Sequence, residues 1–391
     1  MMVEPWILRA PARAVAVETA SEQLTYGELV ERARGAPYAR GERVPIPAEP
    51  TLDFVVELWA CLLAGAVAMP IDPRLGERER TAQRLSAEGP PSAPDVALIV
   101  HTSGTTGAPR PVELTYGNVL ANALGCAVAL GHDRHERWLC PLPLSHVGGL
   151  MVLLRSAIYG TTAVLDAPER DDVTIASLVP TQLARLIEAG VKPGPRLRVV
   201  MLGGAAADPR LLDAGWPVVT TYGMTQTCSA VVVDGRPLPN VNVEIAPERS
   251  GDVAEAPGSG EILVSGPSVA GGGVLHTGDL GRFDADGRLV VTGRKSDTIV
   301  TGGENVAPAE VEGALLEHPA VAEAGVFGRA HPEWGEAVTA HVVLRGAASP
   351  EELRGWCAER LAGYKVPKAI VAVDCLPRTA SGKLLKGLLI G

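Results

Sequence analysis

The feature that most limits what this chain can fold into is an alternation. Short apolar runs stand between longer stretches of helical spacing through most of its length. Residues 95–101 (DVALIVH) read as a buried strand ending in a Thr/Ser/Gly loop. Residues 162–165, 175–179, 198–202 and 218–221 read as further short buried strands. Between them, 118–130 and 181–189 read as helices, the second capped by Thr181 and stopped by Gly190. Strands that alternate with helices return parallel, with the helices laid on the sheet faces, so the spacing predicts an α/β chain. From Asn240 the texture changes: 241–245, 260–264 and 288–291 are short alternating runs cut by Gly and Pro, as in a small β-subdomain. After Arg294 come helix 309–318, strands 323–327 and 337–344, helix 350–362, strand 369–373 and a Lys-bearing tail, an α+β pattern. The expected organisation is a large N-terminal domain over 1–295, with mixed and parallel sheets, flanking helices and the β-subdomain. A small α+β C-terminal domain follows over 296–391.

Composition removes several function classes. Lys and Arg total 35 against 45 Asp and Glu, a net charge of −10 with no long basic run, so nucleic-acid binding is not expected. The apolar stretch 58–71 is too short to span a bilayer and contains Gly and Pro, so no membrane insertion is expected. Residues 1–10 include Glu4 and lack a charged-then-apolar leader pattern. The six Cys (61, 126, 140, 228, 357 and 375) are scattered without a CxxC pair and read as buried, reduced thiols of a cytoplasmic protein. Only six residues are Lys, and Lys365, Lys368, Lys383 and Lys386 all fall in the last 27 positions of an otherwise Arg-rich chain.

The motif with the clearest chemistry follows strand 95–101: His101-Thr102-Ser103-Gly104-Thr105-Thr106-Gly107-Ala108-Pro109-Arg110. Its glycines let successive N–H groups turn inward, and its hydroxyls add donors, so the loop can wrap an anion. No Gly-Lys-Ser/Thr follows, so it is not a Walker A loop. This string resembles the phosphate-binding loop of the adenylate-forming superfamily, which includes acyl-CoA ligases, luciferase and peptide-synthetase adenylation domains. Further segments resemble that family's motifs in order. They are Thr221-Tyr222-Gly223-Met224-Thr225-Gln226-Thr227, His276-Thr277-Gly278-Asp279, Gly293-Arg294-Lys295-Ser296-Asp297, the 302–312 loop, and Pro377-Arg378-Thr379-Ala380-Ser381-Gly382-Lys383.

The resemblance implies activation of a carboxylate by ATP, giving acyl-AMP and pyrophosphate, and then transfer to coenzyme A. Thr102, Ser103, Gly104, Thr105, Thr106, Gly107 and Arg110 would hold the phosphates. Gly203-Gly204-Ala205 with Tyr222, Gly223 and Thr225 would enclose the adenine. Asp279 would accept from the ribose hydroxyls and Arg294 would donate to ribose or phosphate. Lys383 would stabilise the charge that gathers at the α-phosphate. The resemblance also implies a mobile C-terminal domain that turns about 295–297 and brings Gly302-Gly303-Glu304 in to form a path for pantetheine. Lys365, Lys368 and Lys386 are expected to be a basic surface. Two positions depart from the family pattern: Arg110 stands where Lys is usual, and Gln226 where a Mg²⁺-holding Glu is usual. Mg²⁺ is then expected on ATP phosphates and water, with Thr106 and Gln226 as neutral ligands.

Pro141-Leu142-Pro143-Leu144-Ser145-His146-Val147-Gly148-Gly149-Leu150 and the run through Arg155-Ser156-Ala157-Ile158-Tyr159-Gly160 resemble the o-succinylbenzoate–CoA ligases of menaquinone biosynthesis. That resemblance implies His146 as a catalytic-site residue lining the acyl pocket, with Gly148 and Gly149 leaving room for an aromatic ring. Arg155, Thr227 and Ser229 are candidates to meet the acid's second carboxylate. Alternatives are a ligase for another aryl or acyl acid, an enzyme that loads a carrier protein, and a nucleotide-binding pseudoenzyme. A homodimer is compatible with the family, and the sequence leaves the oligomeric state open.

Overall fold

The computed structural model describes residues 5–102, 110–165, 171–205, 209–247, 258–378 and 384–389. The chain divides into two compact units, Met1–Asn242 with Ser265–Leu275, and Val243–Val264 with His276–Gly391.

The first unit carries two sheets. The larger has nine strands in the order Arg236–Pro237, Ser229–Val233, Val218–Met224, Val199–Leu202, Ile175–Leu178, Arg137–Leu139, Thr162–Val164, Val15–Glu18, Gln23–Thr25. Its centre, from Val218–Met224 to Val15–Glu18, is parallel, and the flanking pairs are antiparallel. The second sheet has the order Arg43–Pro47, Val67–Ile71, Val96–Thr102, Arg110–Thr115, parallel except for its last pair. Both-face burial explains why these strands are nearly unbroken apolar runs: Val67–Ile71 is buried at every position. Helix Leu52–Ala64 starts where the Thr51 hydroxyl accepts from Phe54 N–H. It buries Leu58, Trp59 and Leu62 in a core shared with Leu98, Trp138 and Leu150. Each such side chain contributes roughly 1.5–3 kcal/mol on leaving water.

The second unit holds most of a four-stranded sheet, in the order Asn242–Pro247, Gly260–Ser265, Val274–Phe283, Leu289–Arg294. A five-stranded sheet of Glu304–Val306, Ile299–Thr301, Gly335–Leu344, Val321–His331 and Ala369–Ala372 completes it. Helices Pro308–Leu316 and Pro350–Ala358 contribute Val311, Leu315, Leu353 and Cys357 to the core of this unit. The boundary expected at 295/296 falls inside this unit, at the single 3-10 turn Lys295–Asp297 between its two sheets.

Three local readings change. The helix expected at 181–189 runs Pro180–Glu188 with Val179 as its N-cap residue, because Pro pre-sets the first helical position, and Thr181 lies inside the first turn. Strand Arg110–Thr115 was not expected; its alternation is masked by Pro111 and Glu113. Five cysteines are buried as expected, but Cys375 is exposed, and all six are free thiols. Among the described residues no helix is long and apolar enough to cross a membrane.

Candidate active site

Ser103, Gly104, Thr105, Thr106, Gly107 and Lys383 lie outside the described residues. The ends of the 102–110 loop are described. Thr102 pairs with Arg110 across the last two strands of the smaller sheet, and the Thr102 hydroxyl donates to the Arg110 carbonyl (3.3 Å). Thr102 and Arg110 therefore stand at the ends of two antiparallel strands, the inner one buried, and Arg110 is exposed. Just behind, burial holds the His101 imidazole below its usual range, and its Nε2 lies 2.8 Å from Ser86 Oγ.

Helix Val147–Tyr159 begins at His146, whose own side chain does not cap it. Asp72, one residue past strand Val67–Ile71, accepts from Arg74 Nε (2.8 Å) and Nη2 (2.7 Å) and lies 4.0 Å from His146 Nε2. Burial lowers the His146 pKa, Asp72 opposes this and Arg74 adds to it; the net shift is downward, favouring neutral imidazole. Burial would raise the Asp72 carboxyl, but the bonds and charge of Arg74 outweigh it and hold it low. The glycines after His146 pack closely against the loop that precedes it. A Cβ on Gly149 would stand 2.5 Å from Pro143 O and 2.8 Å from Leu142 O, so this glycine exists for close packing of helix on loop. At Gly148 the same space is taken by Leu142 Cδ1, at 3.2 Å.

Of the three candidates for a second carboxylate, the structure separates one. The Thr227 hydroxyl is satisfied within its own turn, accepting from Met224 N–H (2.9 Å) and donating to Ser229 O (2.7 Å). Ser229 is buried at the start of strand Ser229–Val233. Arg155 is 1% exposed. Its Nη2 donates to Asn122 Oδ1 (2.6 Å), its guanidinium carbon lies 5.5 Å from the Trp138 ring centre, and its Nε has no partner. No carboxylate among the described residues pairs with it.

Tyr222 and the Gly203-Gly204-Ala205 turn are brought together. Strands Val199–Leu202 and Val218–Met224 are parallel neighbours, and Thr221 Oγ1 donates to Leu202 O (3.2 Å). The turn thus leaves the carboxyl end of one strand beside Tyr222 on the next, the usual place for a ligand in an open parallel sheet. The bulge after Tyr222 demands glycine: a Cβ on Gly223 would meet Ser229 O at 2.1 Å. Thr225 and Gln226 follow in the 3-10 turn Thr225–Thr227, and Gln226 O accepts from Ala270 N–H (2.8 Å).

In the second unit Asp279 faces Arg294 across neighbouring strands, with Arg294 Nε 3.1 Å from Asp279 Oδ1. The Thr277 hydroxyl fixes this turn, donating to Ile262 O (2.7 Å) and accepting from Asp279 N–H (3.1 Å). Gly302 and Gly303 both have positive φ, and Gly302 N–H donates to Trp334 O (2.9 Å). The Trp334 ring stacks on His331 at 4.3 Å, and Lys368 Nζ lies 4.8 Å from its centre.

The other C-terminal lysines are not a basic surface. Lys365 is buried and paired with Glu310 (2.6 Å), where helix Pro308–Leu316 covers it. Lys386 pairs with Glu312 (2.8 Å), which also accepts from Val326 N–H (2.8 Å). Arg378 Nε and Nη2 grip Glu323 at 3.1 and 2.5 Å, and Arg378 bridges to Leu384. Arg378, before segment 379–383, is thus tied to strand Val321–His331, and Lys386, after it, to helix Pro308–Leu316. Sequence reading missed Asn122, Asp72, Trp334 and the carboxylates Glu310, Glu312 and Glu323. Only Trp334 offered a signal: a Trp outside any apolar run, in a chain with 4% aromatics.

A family model described as AMP-binding enzyme matches residues 79–272, and one described as AMP-binding enzyme C-terminal domain matches 310–383. The chain is similar to the 2-succinylbenzoate–CoA ligase of Bacillus velezensis, at 36% identity over 94% of this chain and 92% of that one. It is also similar to that of Bacillus subtilis, at 40% identity over 80% and 72%. The first alignment spans 452 positions against a chain of 391, so that relative carries stretches absent here. Among solved structures, the fold is similar to o-succinylbenzoate CoA synthetase from Bacillus subtilis with the acyl-adenylate intermediate OSB-AMP. The TM-score is 0.88, with 32% identity over 100% of this chain and 98% of that one. The same enzyme with ATP and magnesium ion gives a TM-score of 0.86 at 32% identity, over 98% and 99%.

Proposed function

The chain belongs to the AMP-binding enzyme family, and on that premise we propose that it is an ATP-dependent acid–CoA ligase acting on o-succinylbenzoate, in menaquinone biosynthesis. The observation that carries the substrate is Arg155. A buried guanidinium that meets no carboxylate among the described residues is costly to keep, and a diacid substrate supplies a partner. The reacting carboxylate oxygen attacks the α-phosphorus of ATP, the bond to the bridging oxygen breaks, and pyrophosphate leaves. The 102–110 loop and Arg110 take the phosphates, Tyr222 and 203–205 the adenine, and Asp279 the ribose hydroxyls. The Asp279–Arg294 pair aims that carboxylate. Lys383 supplies the cation at the α-phosphate. His146, neutral at the helix start, lines the acyl pocket and adds no charge to compete with Arg155. Mg²⁺ bound with the nucleotide would supply neutralisation of phosphate charge. The side-chain oxygen of Gln226, a neutral hard donor, suits an ion held mainly by phosphates and water.

Coenzyme A then attacks the acyl-AMP carbonyl through its thiolate, and AMP leaves. Turning about Lys295–Asp297 brings the 302–304 loop to the reaction, where two side-chain-free residues let pantetheine pass close to backbone. Lys368, held over the Trp334 ring, offers the nucleotide end of coenzyme A a cation. The enzyme works in the cytoplasm, and a homodimer is compatible with this reading.

The test is pyrophosphate release with o-succinylbenzoate beside benzoates and short fatty acids, followed by CoA-dependent AMP release. Turnover of o-succinylbenzoate at no better than the rate of simple benzoates would sink the substrate. Lys383→Ala should lower adenylation by about a hundred-fold or more while thioesterification of supplied acyl-AMP largely survives. Equal loss of both steps would remove Lys383 from this role.

A further inference from the structure

The surroundings of Arg155 hold one more piece of design. Among the described residues, the groups recorded against the guanidinium are uncharged. Asn122, fully buried on helix Tyr116–Leu130, presents Oδ1 to it at 2.6 Å. Trp138 presents its ring at 5.5 Å. Cys126, Cys228 and Tyr159 stand nearby, and burial pushes all three upward, Cys228 to about 12, so they stay protonated. An Arg this deep would ordinarily be matched by Asp or Glu. Here the amide oxygen fills that place without cancelling the charge.

Asn122 does a second job with its other end. Its Nδ2 donates to Ala230 O (2.9 Å) and Thr227 O (3.3 Å). One side chain therefore ties helix Val147–Tyr159, which begins at His146, to the segment that follows Tyr222 and Gln226. The amide's fixed orientation leaves Oδ1 no choice but to face Arg155, since the two carbonyls can only accept.

We infer that Asn122 is a positioning residue that sets specificity for a diacid: it aims the Arg155 guanidinium while leaving its charge free for the second carboxylate of the substrate. This rests on the reading of Arg155 given above. Asp is nearly isosteric with Asn, so Asn122→Asp would place a carboxylate where the amide oxygen stands. The guanidinium would then be neutralised from within the protein.

The experiment measures KM in ATP–pyrophosphate exchange for o-succinylbenzoate and for β-benzoylpropionate, the same skeleton without the ring carboxylate. In Asn122→Asp the ratio of the two KM values should move against the diacid by about 10- to 100-fold, the range for one charge-assisted contact. A structural role alone would shift both acids alike and leave the ratio where it was, which would overturn the inference. Asn122→Ser, neutral but unable to hold the guanidinium, covers the case in which the Asp variant does not fold. It should move the ratio the same way by a few-fold, and an unmoved ratio there again overturns the inference. Arg155→Gln separates the two levels. If it leaves the ratio unmoved, the role of Arg155 itself is wrong. If it moves the ratio and the Asn122 variants do not, only the positioning role fails.

Discussion

A single methyl group is the finest test of this structure. At position 149 it would press on two carbonyl oxygens of the loop before His146. Gly149→Ala should therefore cost about 1–3 kcal/mol and lower the melting temperature by several degrees, seen by calorimetry. The buried imidazole of His101 gives a second residue-scale prediction. Its folded pKa lies below the unfolded one, so below the ordinary imidazole range the unfolded chain takes a proton that the folded chain resists. Stability should be flat above that range and fall as pH drops through it. His101→Gln should flatten part of that slope in a melting series from about pH 8 to pH 5. Asp72, held low by Arg74, contributes stability that is lost only further down, as pH falls through and below the usual carboxylate range. A motif singled out individual residues such as Asp279, which the fold sets opposite Arg294. Asn122 was not singled out, because a lone polar residue within a helix looks the same whether it meets water or a buried cation.

Elements were read well where burial was two-sided and badly where polar residues broke the period. The strand Val96–Thr102 stood out from its apolar run, whereas its partner Arg110–Thr115 did not, since Pro111 and Glu113 sit on its exposed face. The lysines of the C-terminal tail illustrate the same limit: charge is visible in sequence, but the carboxylates that pair with it come from distant segments. Those pairs carry the prediction for this scale. Glu312→Gln keeps an acceptor for Val326 N–H and removes the charge that anchors Lys386. Adenylation should slow by about 3- to 10-fold, the value of one partly buried ion pair, with thioesterification of supplied acyl-AMP spared. Equal slowing of both would mean the pair only stabilises the unit. Trp334→Ala should raise the KM for coenzyme A by about 3- to 10-fold and leave pyrophosphate exchange intact, in keeping with loss of the ring that holds Lys368. An unchanged KM for coenzyme A would exclude the indole from that role.

For the whole molecule, two units with separate apolar cores make simple two-state melting unexpected. The calorimetric enthalpy should exceed the van't Hoff enthalpy, and a ratio of one would show that the units melt together. The alternation along the chain made the α/β class legible, and the change of texture at Asn240 located the β-subdomain. Which unit that sheet belongs to depends on contacts between distant residues, which no local pattern records. The thiols have a practical consequence of their own. Burial raises Cys61, Cys140 and Cys228 to about 12 and Cys357 to about 11, and Cys126 upward as well, which leaves Cys375 as the exposed one. It stands three residues before Arg378, at the root of the segment that carries Lys383. A maleimide dye should therefore mark this one place on the native enzyme without any engineering, giving a fluorescent reporter for following the C-terminal segment through both half-reactions.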